Sequence, residues 1–506
     1  MSTTADPRVS GGGTASNGAD GGRSAGLPLF ALIALVVGSM IGGGIFNLPR
    51  QMASAAAPGP LLIGWLITGV GMLMLAFIFQ TLAERKPDVD GGVYGYARAG
   101  FGPFIGSSCA WGYWISAWIG NVGYLVLLVS GIGYFMPDVF VQDNTLTMAG
   151  LALGSVVLWA TTMLCVVGVR EAVIVNTIVT IAKVLPILMF LVLTALAFRM
   201  DLFSADIWGT MTQVPDGEGG MMGLGDTMQQ VKGMMLVTVW VFIGIEGASI
   251  FSQRAGKRSD VGKATVIGFV MVLALLILVN FLAYGVMRQA ELSGVADPAL
   301  GSILGEVVGP WGAALIALGL TVSVLGAFLS WTLLCAEILR LPAQQKVLPA
   351  FLGKDNRRGS PAAALLLTGA VTQIVLIWAK TQPSAYDSLI MLASSLILLP
   401  YLWATLYQLK LGVTGESYET SARSKGRDLL VAGVGTVYAL WLVYAAGLEY
   451  LLLAAIFYVV GTALYIWARR EARLRVFTPA ELVVLAVVVV GAVFGIMGLL
   501  DGSISV

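Results

Sequence analysis

Residues Gly38-Ser39-Met40-Ile41-Gly42-Gly43-Gly44-Ile45-Phe46-Asn47-Leu48-Pro49 lie in the middle of the first long apolar run of the chain. A glycine in a helix interior costs about 1 kcal/mol relative to alanine, so three in succession argue against a plain membrane helix. Broken backbone at bilayer depth is tolerated only where it is buried in protein or lines a cavity. A second stretch of this kind, Trp240-Val241-Phe242-Ile243-Gly244-Ile245-Glu246-Gly247-Ala248-Ser249, falls in the sixth apolar run and sets two glycines around an ionisable side chain. The two breaks hold matching positions in two halves of five spans each. Paired broken spans at corresponding positions point to the central site of a transporter. Small residues also permit close helix packing, and one glycine motif alone would be read that way. A Gly-Gly-Gly run together with a second break that carries a carboxylate reads as a site.

Outward from the first break, apolar stretches of about 20 residues follow one another, each long enough for a hydrocarbon layer of ~30 Å. They cover 27–50, 60–83, 104–136, 148–168, 172–198, 231–252, 264–287, 310–340, 361–380, 386–409, 429–446, 449–468 and 478–500. The expected fold class is an all-α membrane protein with 12–13 transmembrane helices, of which helices 1 and 6 are discontinuous; the long run at 104–136 is open to division. Residues 1–26, rich in Gly, Ser, Ala and Thr, read as a disordered tail. The organisation is then 1–26 tail, 27–198 first five-helix half, 199–230 external loop, 231–409 second half, and 410–506 additional C-terminal helices.

Composition agrees. Of the 506 residues 58% are hydrophobic and 11% charged, with a mean hydropathy of +0.87; a soluble domain carries about 25% charged residues. The net charge of +1 gives no reason to expect a nucleic-acid partner. Cys109, Cys165 and Cys335 sit far apart inside apolar runs and read as small buried hydrophobes. There is no histidine. That removes the commonest metal ligand and the usual base near neutral pH, so no cofactor, no metal and no histidine-based triad is expected.

The arrangement of lysine and arginine sets the orientation. With the N-terminus inside, the inner loops hold Arg85, Lys86, Arg98, Arg170, Arg254, Lys257, Arg258, Lys263, Arg340, Lys346, Arg357, Arg358, Lys410, Arg427, Arg469 and Arg470. The outer loops hold Arg50, Arg199, Lys232, Arg288 and Lys380, and are otherwise acidic, with Asp138, Asp201, Asp206, Glu291 and Asp297. The basic loops read as topology determinants rather than binding sites.

The breaks have their own chemistry. Freed N–H groups from Met40 to Ile45, at a half-helix N-terminus, favour an anion such as a carboxylate. Freed carbonyls around Gly244 and Ile245 suit an ammonium group. Together they describe a clamp for the backbone of an α-amino acid, built from Ser39, Met40, Ile41, Gly42, Gly43 and Gly44 on one side and Ile243 and Gly244 on the other.

These residues resemble the amino acid–polyamine–organocation transporters, and within them the basic amino acid antiporters. The likeness is greatest to bacterial arginine/ornithine antiporters, through the first break, the loop Arg85-Lys86-Pro87-Asp88-Val89-Asp90-Gly91-Gly92-Val93-Tyr94, and Ala110-Trp111-Gly112-Tyr113-Trp114-Ile115-Ser116-Ala117-Trp118. Bacterial lysine permeases share the pattern. The resemblance implies a 5+5 inverted-repeat fold with the site between spans 1, 3, 6, 8 and 10, in a bacterial inner membrane. It also implies roles: Trp240 a gating aromatic, Glu246 a proton-sensing carboxylate, Trp331 a platform for the substrate guanidinium, Asn121 a substrate contact, and Tyr113 and Tyr401 gate tyrosines. In two places the chain departs from the arginine/agmatine antiporters of the family. Ala393, beside Ser394 and Ser395, replaces a serine of span 10, and Lys183 replaces a small apolar residue of span 5.

A carboxylate at Glu246, in mid-span, must pair, protonate or line water, which favours a functional role over merely satisfying broken backbone. A lysine at the position of Lys183 fills the place of a sodium ion in one proton-coupled branch of the family; its ammonium would brace the carbonyls of broken helix 1, against the alternative of snorkelling to the inner face. Glu246 and Lys183 are therefore the coupling candidates. Trp331 lies mid-span rather than in an interfacial belt, and its ring face attracts guanidinium or ammonium. Asn121, Tyr113, Trp240 and Tyr401 read equally well as interhelix hydrogen bonding and core aromatics.

The first expectation is arginine/ornithine exchange by alternating access; the second is a proton-coupled or exchange permease for lysine, another basic amino acid or its amine. A membrane enzyme lacks a nucleophile with its base, and a channel or receptor lacks a filter-like repeat or soluble sensing domain. Expected partners are basic amino acids and the lipid bilayer, with a homodimer left open.

Overall fold

In the computed structural model the described residues are 29–142, 145–168, 172–215, 220–246, 258–382, 385–418 and 424–504. The chain runs α1 (Leu29–Met40), a 3-10 turn (Gly44–Phe46), α2 (Leu48–Ala55), α3 (Pro58–Arg85), α4 (Gly92–Phe101), α5 (Pro103–Gly133), α6 (Met148–Val167), α7 (Ala172–Leu196), α8 (Met200–Phe203) and α9 (Thr227–Trp240). It continues with α10 (Arg258–Tyr284), α11 (Gln289–Ser293), α12 (Ala299–Val308), α13 (Pro310–Gln344), α14 (Ala362–Ala379), α15 (Ala385–Thr414), α16 (Lys425–Ala445), α17 (Gly447–Glu471) and α18 (Pro479–Asp501). Two short antiparallel hairpins pair Val141–Gln142 with Thr145–Leu146 and Gln213–Pro215 with Met221–Gly223.

Helix starts are written locally. Proline stands in the first turn of α3, α5, α13 and α18, where its missing N–H would have had no partner anyway. Asp226 with Gln229 and Thr478 with Glu481 form capping boxes on α9 and α18. Among the described residues ten helices are long and apolar enough to cross a membrane. The half-helices α1 and α9 fall short because each stops at its glycine break. The tail at 1–26, the second half of the sixth apolar run after Glu246, and Arg170, Arg254 and Lys257 lie outside the described residues.

The stretch 104–136 is not divided. It forms one helix, α5, through the centre of the bundle, packed along α13 and α15. Its apolar window is 89% buried, against 17% for the peripheral α18, which leans on α17. Glycines let α5 run so deep: a side chain at Gly112 would strike Tyr458 and the Leu396 carbonyl, and one at Gly120 would strike Trp240. The periphery is tied to this centre by Glu481, which accepts from the Thr478 N–H at the start of its own helix (2.8 Å) and from the Phe104 N–H at the start of α5 (3.0 Å).

Candidate functional site

The first break is narrower than the sequence suggests. The Met40 N–H stays inside α1, while the Ile41 N–H donates to the Val37 carbonyl (2.9 Å) and the Gly42 N–H to the Met40 carbonyl (2.9 Å). The N–H groups of Gly43, Gly44 and Ile45 have no backbone acceptor among the described residues. The expectation of six freed donors from Met40 to Ile45 is thus corrected to three. α-Helical bonding persists by one residue, to Ile41, and the Gly42 bond is a three-residue γ-turn that ends it; glycine permits such a break where another group claims its space. Here Tyr124 and Trp240 claim it: a Cβ at Gly42 would lie 2.3 Å from the Tyr124 hydroxyl, and one at Gly44 2.7 Å from the Trp240 Nε1.

The second break follows α9. Phe242 and Ile243 make short-range turns back to Val239 and Trp240, and Gly244 takes a φ of 109°, open to glycine and strained for other residues. That turn swings Glu246 inward, 1% exposed. Its carboxylate accepts from the Tyr113 hydroxyl, from the Tyr401 hydroxyl at 2.8 Å and from the Gly244 N–H at 3.2 Å. Span 3, span 6 and span 10 are joined at this one carboxylate. Residues assigned separately from the sequence as sensor and gate tyrosines form a single network. On the other side of the clamp, the carbonyls of Val241 and Ile243 accept no backbone bond among the described residues.

Between the two breaks lies a small cavity of ≈ 10 Å³, room for about one water. It is walled by Met40, Ile41, Gly42, Gly44 and Ile45 of the first break, Trp240 and Ile243 of the second, and Tyr124 and Trp331. Gly43 packs against Leu127, Tyr124 and Val324 instead. Ser39 closes the last turn of α1. Asn121 does not line this cavity. It is buried beside Cys335, its amide nitrogen 4.0 Å from the sulfur and its carbonyl oxygen unpartnered.

Lys183 enters from α7, 2% exposed, and donates to the carbonyls of Gly38 and Ile41, each at 2.7 Å. It does not snorkel. Two carbonyls at the end of α1 receive an ammonium here.

Two vestibules approach the central cavity. One, of ≈ 520 Å³, opens on the face that carries Lys86 and Arg340 and reaches Tyr113 and Ile245. The other, of ≈ 420 Å³, opens on the opposite face between Tyr134, Asp138, Asp297 and Tyr386. On that second face Arg50 of α2 bridges Asp297 (2.9 Å) and Asp387 (2.8 Å), and Gln51 donates to Asp387 at 2.7 Å. The ion pairs join a half-helix, the segment before α12 and the first turn of α15.

The geometry is that of a pocket between two interrupted helices, and comparison with known proteins decides what kind. A family model described as amino acid permease matches residues 27–492. The chain belongs to the amino acid permease family. This permease is 52% identical over 485 residues to the arginine/ornithine antiporter of Pseudomonas aeruginosa, across 95% of this chain and 98% of the relative. It is 44% identical to the L-lysine transport protein of Corynebacterium glutamicum, across 94% of this chain and 95% of that one. Among solved structures it matches MhsT, determined in complex with L-phenylalanine, with a TM-score of 0.57 at 14% identity, covering 84% of this permease and all of MhsT. The fold is the 5+5 inverted repeat with broken first and sixth helices.

Sequence reasoning missed Tyr124, whose only local signal is a tyrosine three residues after Asn121, and the Arg50 cluster, whose members are separated by 247 and 337 positions or fewer.

Proposed function

We propose that this permease exchanges arginine for ornithine by alternating access. The observation that carries the proposal is the central cavity, where both broken helices meet Trp240 and Trp331 and where a vestibule approaches from either face. The name of the 52% identical relative supports the substrate pair. The substrate's α-carboxylate goes to the N–H groups of Gly43 to Ile45, its ammonium to the freed carbonyls near Ile243, and its side-chain cation to the face of Trp331 and the charge of Glu246. Occupation opens the pocket and moves the half-helices, so that one vestibule closes as the other connects. Tyr113, Tyr401 and Trp240 are the groups that part and re-close. Lys183 takes the place of a bound cation at the end of α1, which makes exchange independent of sodium.

The basic face is the cytoplasmic one, with the N-terminus on that side of a bacterial inner membrane. Residues 27–198 and 231–409 are the two repeats, and 410–506 the added helices. A second reading, exchange or proton-coupled uptake of lysine, rests on the 44% identical lysine transport protein. The test is arginine uptake into proteoliposomes preloaded with ornithine and into empty ones, without sodium or a pH gradient. Uptake only into the preloaded vesicles is expected. Equal uptake into both would replace exchange by uniport, and uptake of lysine alone would favour the second reading.

A further inference from the structure

Tyr124 is buried to all but 7% of its surface, lies one turn along α5 from Asn121, and lines the central cavity. Its ring rests against Trp240, with centroids 5.7 Å apart. Its hydroxyl is directed at the first break: any side chain on Gly42 would collide with that oxygen, and one on Gly43 would meet the ring. The hydroxyl has no hydrogen-bond partner among the described residues, although a buried phenol ordinarily finds one. Beside it stand the three N–H groups of Gly43, Gly44 and Ile45, also without a backbone acceptor. Tyr124, Gly44 and Ile45 line the cavity together and Gly43 packs on the Tyr124 ring, with no protein oxygen among the described residues bonded to their four donors.

Such a donor set selects a group with several lone pairs and negative charge. An ionised carboxylate offers about four lone-pair sites and accepts only. We infer that the Tyr124 hydroxyl is the side-chain donor to the α-carboxylate of the transported amino acid, completing the three-amide site of the broken helix. The inference rests on the pocket assigned above and adds to it a residue that discriminates amino acids from amines. Because Tyr124 reads the part shared by all α-amino acids, it contributes to affinity and leaves the order of preference among side chains to Trp331 and Glu246. Gly42 is then glycine because a methyl group there would push the phenol out of reach.

The test uses the full-length carrier in ornithine-loaded proteoliposomes, with labelled arginine outside and unlabelled arginine, lysine, ornithine or agmatine as competitors. Agmatine is arginine without its carboxylate. Tyr124→Phe keeps the ring against Trp240 and removes only the hydroxyl. A hydrogen bond to a charged group predicts that the inhibition constants of the three amino acids rise together, by about tenfold or more, with their order kept and that of agmatine little changed. Unchanged constants for the amino acids would overturn the assignment. So would unequal factors among them, or an equal loss for agmatine, since either would mark Tyr124 as pocket packing. Wild-type carrier that exchanges none of these compounds would instead refute the basic amino acid reading, and the two failures are separate.

Discussion

The central pocket is closed on its two sides by different chemistry. Toward the acidic face, Arg50 holds Asp297 and Asp387 in ion pairs that link three separate elements. Toward the basic face, the single carboxylate of Glu246 is held by two neutral phenols and one backbone N–H. The first closure is full charge against full charge at a rim where Arg50 is 12% and its partners 18% and 30% exposed, so that breaking it costs more than at an open surface. The second is an ionisable group at bilayer depth, costly wherever it is not paired, protonated or hydrated. A rim of ion pairs can open and re-form without consulting the pocket. A buried carboxylate gives up its tyrosines only when another donor, a cation, water or a proton takes their place. On the exchange proposed above, the acidic-face closure would open independently of the pocket and the basic-face closure would open in response to substrate.

The sharpest way to break this contrast is Glu246→Ala. It leaves two buried hydroxyls facing a void and removes the charge proposed above to answer the substrate cation; arginine/ornithine exchange in proteoliposomes is expected to fall by about 100-fold or more. Exchange within a few-fold of wild type would show that the tyrosines close that side unaided. Trp331→Ala tests the pocket between the closures. Loss of a desolvated cation–π platform should raise the KM for arginine by about tenfold with protein level unchanged, and unaltered kinetics would remove Trp331 from the pocket.

At the rim, Arg50→Gln should shift the carrier toward the form open on the acidic face by roughly fivefold. A cysteine placed at Ser130, in that vestibule, would then react correspondingly faster with a membrane-impermeant thiol reagent; an unchanged rate would mean that the ion pairs do not hold the closure. The smallest expected effect is that of replacing sodium by choline. With Lys183 already on the Gly38 and Ile41 carbonyls, exchange should change by less than about twofold, and a marked loss would place a sodium ion elsewhere in the chain.

Much of this was legible in the sequence, because membrane spans and their interruptions are local signals. A run of apolar residues announces a span, and Gly42-Gly43-Gly44 announces a break within a few residues. Glu246 stands out as a charge where charge is expensive. Lys183 does too, and its two carbonyl partners lie on the helix expected for it. What stayed hidden is non-local. Arg50 and Asp387 are 337 positions apart, and nothing in either loop says that they meet. Tyr124 is one aromatic among many in an apolar run, and only its approach to Gly42 singles it out. Asn121, a polar residue in the expected span, lies beside Cys335 rather than on the wall of the small cavity, a placement that no local pattern announces. Helix α4 and the short helices α11 and α12 lie in segments between spans, where hydropathy gives no strong period.

The ammonium of Lys183 has one further consequence, for energy rather than affinity. A side chain that is covalently part of the chain is never released into either compartment, as a sodium ion would be. A carrier whose cation is part of itself can draw no work at that place from a salt gradient. On the exchange reading what drives it is the concentration ratio of the solutes it carries, and net turnover ceases when the inward and outward ratios of its two cargoes become equal.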